Sequence, residues 1–257
     1  MKISIGINIF KKNKRQDLAI DCLRKLKSKN KNIELYNISF EREIYPTEGF
    51  IDLPTLSKKS HTYTKNESVK KPIANEFFDI LSETDCDCFL FLNSDILLTQ
   101  SAISLLNKGE YESYIFSRHE ISDLNSIEES FSPYKIEVAG FDAWAVKTEW
   151  WKNNKNKIPT CIYSEVAWDN IMSLCLFTNS KSILCNKQFL IGHLSHPIKW
   201  SRETPEGQFN LKTWYSLPLS LKWDYYLQSV LFRRLPVGQY LNPLENEVEL
   251  EHKILKS

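Results

Sequence analysis

Residues 85–95 read Asp-Cys-Asp-Cys-Phe-Leu-Phe-Leu-Asn-Ser-Asp, a run of five apolar residues from Cys88 to Leu92 that stops abruptly against Asn93-Ser94-Asp95. A short, continuous apolar stretch bounded by polar residues marks a strand covered on both faces, as in a parallel sheet packed between helices. The polar triplet then falls at the carboxyl end of that strand. In open α/β sheets this is where ligands collect.

Working outward, the flanking segments supply the rest of such a fold. Ile3 to Phe10 is a β-branched run that enters the polar cluster Lys11 to Arg15, and predicts a buried first strand. From Asp17 onward, Leu18, Cys22, Leu23 and Leu26 fall at helical spacing with Lys and Arg between them, which predicts an amphipathic helix. Ile33 to Phe40 is a second strand, and a right-handed crossover makes it parallel to the first. Glu41 to Lys71 holds Pro46, Gly49 and Pro54 without an apolar period; it reads as a long surface loop, a lid that closes over a ligand. Pro72 opens a helix with Ile73, Phe77, Ile80 and Leu81 on one face.

Beyond the central run, Thr99 caps a short helix that stops at Gly109. Strands follow at Tyr111 to Ser117 and Asp142 to Val146, then a Thr148-capped turn carrying Trp150 and Trp151. A helix starts at Ser164 and carries Glu165, Trp168, Asp169 and Met172. Ser182 to Leu194 gives one or two further strands, one of them Gln188 to Ile191. Strands alternating with helices predict an α/β fold with a mainly parallel sheet flanked by helices. Residues 1–200 are expected to form this domain, with 201–257 a helical or irregular extension packed on it.

Composition narrows the partners. The 257 residues carry 33 Lys+Arg against 32 Asp+Glu, a formal net charge of +1, so no general nucleic-acid or anionic-membrane binding is expected from the whole surface. Only 7 glycines disfavour glycine-rich phosphate loops. The six cysteines form no CxxC pair and read as reduced core residues. No stretch approaches the roughly 18–20 apolar residues of a membrane span, and the expected location is cytoplasmic. The aromatic run Trp214 to Arg234 suggests contact with a membrane surface, with another subunit or with the core.

The chemistry-bearing residues cluster at predicted strand ends. Asp95 suits coordination of a hard divalent cation, Mg²⁺ or Mn²⁺, that would hold a diphosphate; its plain alternative is a turn cap. His193 and His196, in Gly-His-Leu-Ser-His-Pro, have a spacing that can bring two imidazoles to one metal, or can simply hydrogen-bond at a strand end. Glu165 and Asp169, four apart, would share a helix face with no positive charge along it, and one of them could act as general base. Asp142, within Gly140-Phe-Asp-Ala-Trp144, lies beside aromatics on which sugar rings would stack. Arg118, His119 and Glu120 follow a strand, Arg118 being suited to phosphate.

In this order, the features resemble a GT-A type glycosyltransferase, similar to the broad family 2-like group of nucleotide-sugar enzymes. The resemblance covers roughly residues 1–200 and rests on Cys88-Phe-Leu-Phe-Leu-Asn-Ser-Asp95, Ser117-Arg-His-Glu-Ile121, Gly140-Phe-Asp-Ala-Trp144, Trp168-Asp-Asn170 and His193-Leu-Ser-His196-Pro. It implies that Asn93-Ser94-Asp95 stands where the family has its metal- and diphosphate-binding DxD motif, with Asn93 in place of the first Asp. It further implies that His193 or His196 completes a Mn²⁺ or Mg²⁺ site and that Asp169 is the acceptor-side carboxylate, with Asp142 close to the chemistry. Ile7, Asn8, Phe10 and Glu41 would contact the nucleotide. The implied reaction moves a sugar from a nucleotide-sugar donor to a hydroxyl acceptor: a glycan, a lipid-linked glycan or a modified nucleobase, with peripheral membrane contact or a homo-oligomer in prospect. The rival readings are a non-catalytic carbohydrate- or partner-binding protein on this scaffold and a nucleotidyltransferase.

Overall fold

The strands β1 (Ile3–Ile7) and β2 (Ile33–Ile38) lie side by side and parallel, Ile3 opposite Ile33, joined by helix α1 (Lys14–Lys29). In this computed structural model the described residues are 1–9, 13–121, 138–185, 189–194 and 201–222. Asn13 starts α1 by accepting from the Gln16 N–H at 3.1 Å, an N-cap that satisfies one of the free amides of the first turn. The central run forms β4 (Cys88–Leu92), parallel to β1 and buried along its whole length. Its alternation sorts the fold into layers. Phe89 and Phe91 enter one core, with residues of α3 (Ala74–Ser82), α5 (Thr148–Asn154), α6 (Trp168–Asn179) and α7 (Pro205–Ser216). Cys88, Leu90 and Leu92 enter the other, with α1 and α4 (Gln100–Lys108).

The sheet runs β3-β2-β1-β4-β7-β6-β9-β5, where β3 is Ile51–Leu53, β5 Ile96–Leu98, β6 Ser113–Ile121, β7 Val138–Lys147 and β9 Ile191–Leu194; β8 (Ser182–Cys185) pairs the first half of β6. Most pairs are parallel, as expected. Strand β7 is antiparallel to both β4 and β6, so its amino-terminal half, with Asp142, lies at the carboxyl ends of its neighbours. Its pairing with β6 shifts register on either side of Ser117. Such bulges re-aim side chains at sheet margins, and here the residue that follows is Arg118.

Several local expectations need correction. The segment 41–71 is not a loose loop: it contributes β3, which extends the sheet beside β2, and the short helix α2 (His61–Thr64). Three buried carboxylates tie it down. Glu76 accepts from the Ser57 N–H and hydroxyl and the Lys58 N–H, Glu206 from Thr64 and Asn66, and Glu165 pairs with Lys71. The helix expected from Ser164 starts at Trp168, because Ser164 and Ala167 both take left-handed conformations, at φ 60° and 66°. Glu165 and Asp169 therefore do not share a helix face. Thr148 is the first residue of α5 rather than its cap, and His193 lies within β9, not after it. In the C-terminal segment, Leu211, Trp214 and Tyr215 of α7 pack into the α3–α6 core; the aromatic run from Trp223 onward lies outside the described residues. Among the described residues, no helix is long and apolar enough to cross a membrane.

Candidate functional site

Four strands deliver polar side chains to one margin of the sheet. Asn93, Ser94 and Asp95 form the turn between β4 and β5, and the Asn93 N–H donates to the Asp142 carbonyl at 3.0 Å. Arg118 and Glu120 are two apart on β6 and so share a face. His193 is the register partner of Glu120 on the parallel strand β9.

These residues form a continuous chain of contacts. His193 Nε2 faces Asp95 Oδ2 at 3.7 Å, and its Nδ1 meets Glu120 Oε2 at 2.9 Å. The other oxygen of Glu120 accepts from Arg118 Nε at 2.9 Å, and Arg118 Nη1 donates to Asp142 Oδ2 at 2.8 Å. Asn93 Nδ2 donates to Asp142 Oδ1, while Asn93 Oδ1 accepts from the Tyr163 hydroxyl at 3.1 Å. Asp169, in the first turn of α6, reaches the same place from the other side. A Cβ built on Gly140, at φ +142°, would lie 3.6 Å from Asp169 Oδ2 and 3.9 Å from Arg118 Nη1.

Four carboxylates thus surround one guanidinium and one imidazole, and the titration of the group follows. Asp169 is half-buried; burial and the neighbouring Asp142 push its carboxyl up to about 7, against the Asn170 N–H and Arg118. A helix N-terminus ordinarily favours the carboxylate, so desolvation and repulsion prevail here. Burial also raises Asp142, an effect only partly offset by Arg118. Burial opposes the charge on His193, yet the carboxylates of Asp95 and Glu120 beside it leave its pKa above the ordinary value.

Among the described residues, no three His, Cys, Asp or Glu side chains are arranged to hold a metal ion. Asp95 and His193 could hold one between them, 3.7 Å apart. Glu120 holds Nδ1 and turns Nε2 toward the Asp95 carboxylate, the relay that orients metal-bound histidines. A cation there would draw the rest of its shell from water and phosphate oxygens, as Mg²⁺ habitually does.

The remaining expected residues fall in different surroundings. Ser94 accepts from Gln16 Nε2 at 2.7 Å. Asn8 donates to the Ile38 carbonyl at 2.6 Å and Ile7 is fully buried, so both serve the ends of β1 and β2. Glu41 is exposed in a short 3₁₀ turn. Phe10 and His196 lie outside the described residues. Arg118 already faces two carboxylates, so its charge is matched within the cluster. The aromatics near Asp142 are core residues: Phe141, Trp144 and Trp168 are buried, the Trp144 and Trp168 rings packing tilted at 59° with centroids 4.8 Å apart, and none offers a face for a sugar. Tyr163 and Gln16 carry no sequence signal that places them here. For Glu120 the signal is its two-residue spacing from Arg118.

No family model matches the chain, and no curated protein does. Among solved structures it is similar to S. aureus TarS 1–349 in complex with UDP-GlcNAc, at 10% identity over 86% of this chain and 69% of that one, TM-score 0.49. It is also similar to the glycosyltransferase GlyE of Streptococcus pneumoniae, at 13% identity over 89% and 64%, TM-score 0.44. A third is a glycosyltransferase involved in glycosylation of the major capsid of PBCV-1, at 12% identity over 77% and 96%, TM-score 0.42. These are likenesses of chain trace, not of side chains.

Proposed function

We propose that the protein is a glycosyltransferase, moving a sugar from a nucleoside-diphosphate donor to a hydroxyl acceptor. The observation that carries this reading is Asp169, a half-buried carboxyl brought to about 7 beside the Arg118–Asp142 pair, across the cluster from Asp95 and His193. A general base works best when its pKa lies near the working pH, and a carboxylate at its ordinary value would be a poor acceptor for a hydroxyl proton. Asp169 would take the proton of the acceptor hydroxyl as that oxygen attacks the anomeric carbon and the bond from that carbon to the diphosphate oxygen breaks, the inverting course. Asp95 and His193 would hold Mn²⁺ or Mg²⁺, which when bound neutralises charge on the leaving diphosphate. Arg118 would keep Asp142 charged and in place next to Asp169.

The test is incubation with UDP-, GDP-, CMP- and TDP-sugars and Mn²⁺. One donor class should be hydrolysed slowly without acceptor, and Asp169→Asn should lower kcat/KM by about 10²–10⁴ while leaving nucleotide affinity intact. If no donor is either bound or hydrolysed, the reading fails. The rival, a non-catalytic binding protein, draws on Asn93: its amide is engaged by Asp142 and Tyr163 rather than supplying a second acidic ligand. Donor binding without any turnover would favour it.

A further inference from the structure

We propose that Glu120 is the positioning residue of this site: it divides its two carboxylate oxygens between His193 and Arg118, and so fixes both the imidazole that faces Asp95 and the guanidinium that holds Asp142. The sheet brings this about. Parallel pairing of β6 and β9 sets Glu120 opposite His193, and the alternation of β6 sets Arg118 on the same face. The two contacts are equal in length, 2.9 Å each, and use different oxygens.

The donor and acceptor inventory makes the arrangement directional. A guanidinium has donors alone and a carboxylate acceptors alone, so the oxygen facing His193 requires a proton on Nδ1. In the neutral ring the lone pair then sits on Nε2, pointing at the Asp95 carboxylate 3.7 Å away. On the side that faces Asp95, Nε2 can then take up a proton or a cation. Glu120 therefore makes the Asp95–His193 pair receptive to a metal. The part of this proposal that concerns metal rests on the glycosyltransfer reading; the ring orientation does not.

Glu120→Gln separates the two jobs with almost no change in shape, because the amide keeps one acceptor oxygen. Arg118, the charged donor, claims that oxygen. The amide NH₂ then faces His193 Nδ1, which must become an acceptor, and the ring proton moves to Nε2. Restoring the original state requires removing the competitor, as in Glu120→Gln combined with Arg118→Met and Asp142→Asn, the last change sparing the fold an unpaired buried carboxylate.

The experiment reads the protonated nitrogen of neutral His193 by ¹⁵N NMR of the metal-free protein, with His193→Gln for assignment. Wild type should carry the proton on Nδ1, Glu120→Gln on Nε2, and the triple variant on Nδ1 again. Calorimetry with Mn²⁺ alone should show affinity about 10–100-fold weaker in Glu120→Gln. An unchanged tautomer in Glu120→Gln overturns the proposal. A wild type that shows this tautomer pattern but no Mn²⁺ affinity supports the positioning role and sinks the metal part of the functional reading.

Discussion

At the scale of single residues, Asp169, the proposed general base, bears an energetic penalty for its position. Its raised carboxyl must lose a proton to act as a base, so kcat/KM should climb with pH and level off above about 7, and Asp169→Asn should abolish that limb. The same shift has a stability consequence of opposite sign. A carboxyl whose pKa is raised in the folded state favours folding fully below its ordinary value of 3.8 and loses that contribution as pH rises through about 7. Asp169→Asn should therefore melt above wild type at pH 8, by about 2 °C or more, with the gap closing by pH 4; equal melting at both pH values would contradict the assigned environment. Asp95 was readable as a candidate because it follows a predicted strand, and Asp169 because it stands four residues from Glu165 on a predicted helix. What Asn93 does was not, since its partners Asp142 and Tyr163 come from 49 and 70 positions away. An aspartate at 93 would set a second negative charge against the buried Asp142, and this repulsion is a physical reason for the amide.

At the scale of elements, the segment 161–167 carries Tyr163 and leads into Asp169, and its shape is imposed from outside. Asn210 of α7 grips Ile162 through both backbone groups, accepting from its N–H at 2.8 Å and donating to its carbonyl at 2.9 Å. Asn210→Ala should lower stability by about 1–3 kcal/mol, as expected when buried backbone groups lose a partner, measured by urea denaturation. It should also reduce kcat more than donor affinity. Gly207→Ala should act through the same helix, because a Cβ there would collide with the Ser201 carbonyl oxygen and displace the start of α7. Helices and strands with sustained apolar patterns, such as β4 and α3, were legible at sight. The left-handed Ser164 and Ala167 were not, since neither is the glycine that usually signals such a turn, and β3 was hidden by having three residues.

For the whole molecule, a formal net charge of +1 conceals a local excess of carboxylates at one sheet margin. That excess predicts linked binding. The nucleotide selected by the donor panel and Mn²⁺ should together raise the melting temperature by more than the sum of their separate shifts. The stabilisation would reach about 2.7 kcal/mol at a hundredfold excess over Kd, and a chelator should remove the surplus. Strictly additive shifts would mean that the diphosphate and the cation do not share a site. The α/β class could be read from the order of strands and helices. The antiparallel course of β7 could not, because pattern along a strand carries no direction, and that course is what brings Asp142 to the site.

Strand β7 also sets a schedule for synthesis. It fills the middle of the sheet, between β4 and β6, yet it leaves the ribosome after both. Until it arrives, the apolar β4 has one edge paired with β1 and the other open. About 45 residues separate Leu92 from Val138, which at about 5–20 residues per second leaves that edge exposed for about 2–9 s in every nascent chain. The strand that completes the candidate site is thus also the one whose late synthesis leaves the middle of the sheet unpaired for longest.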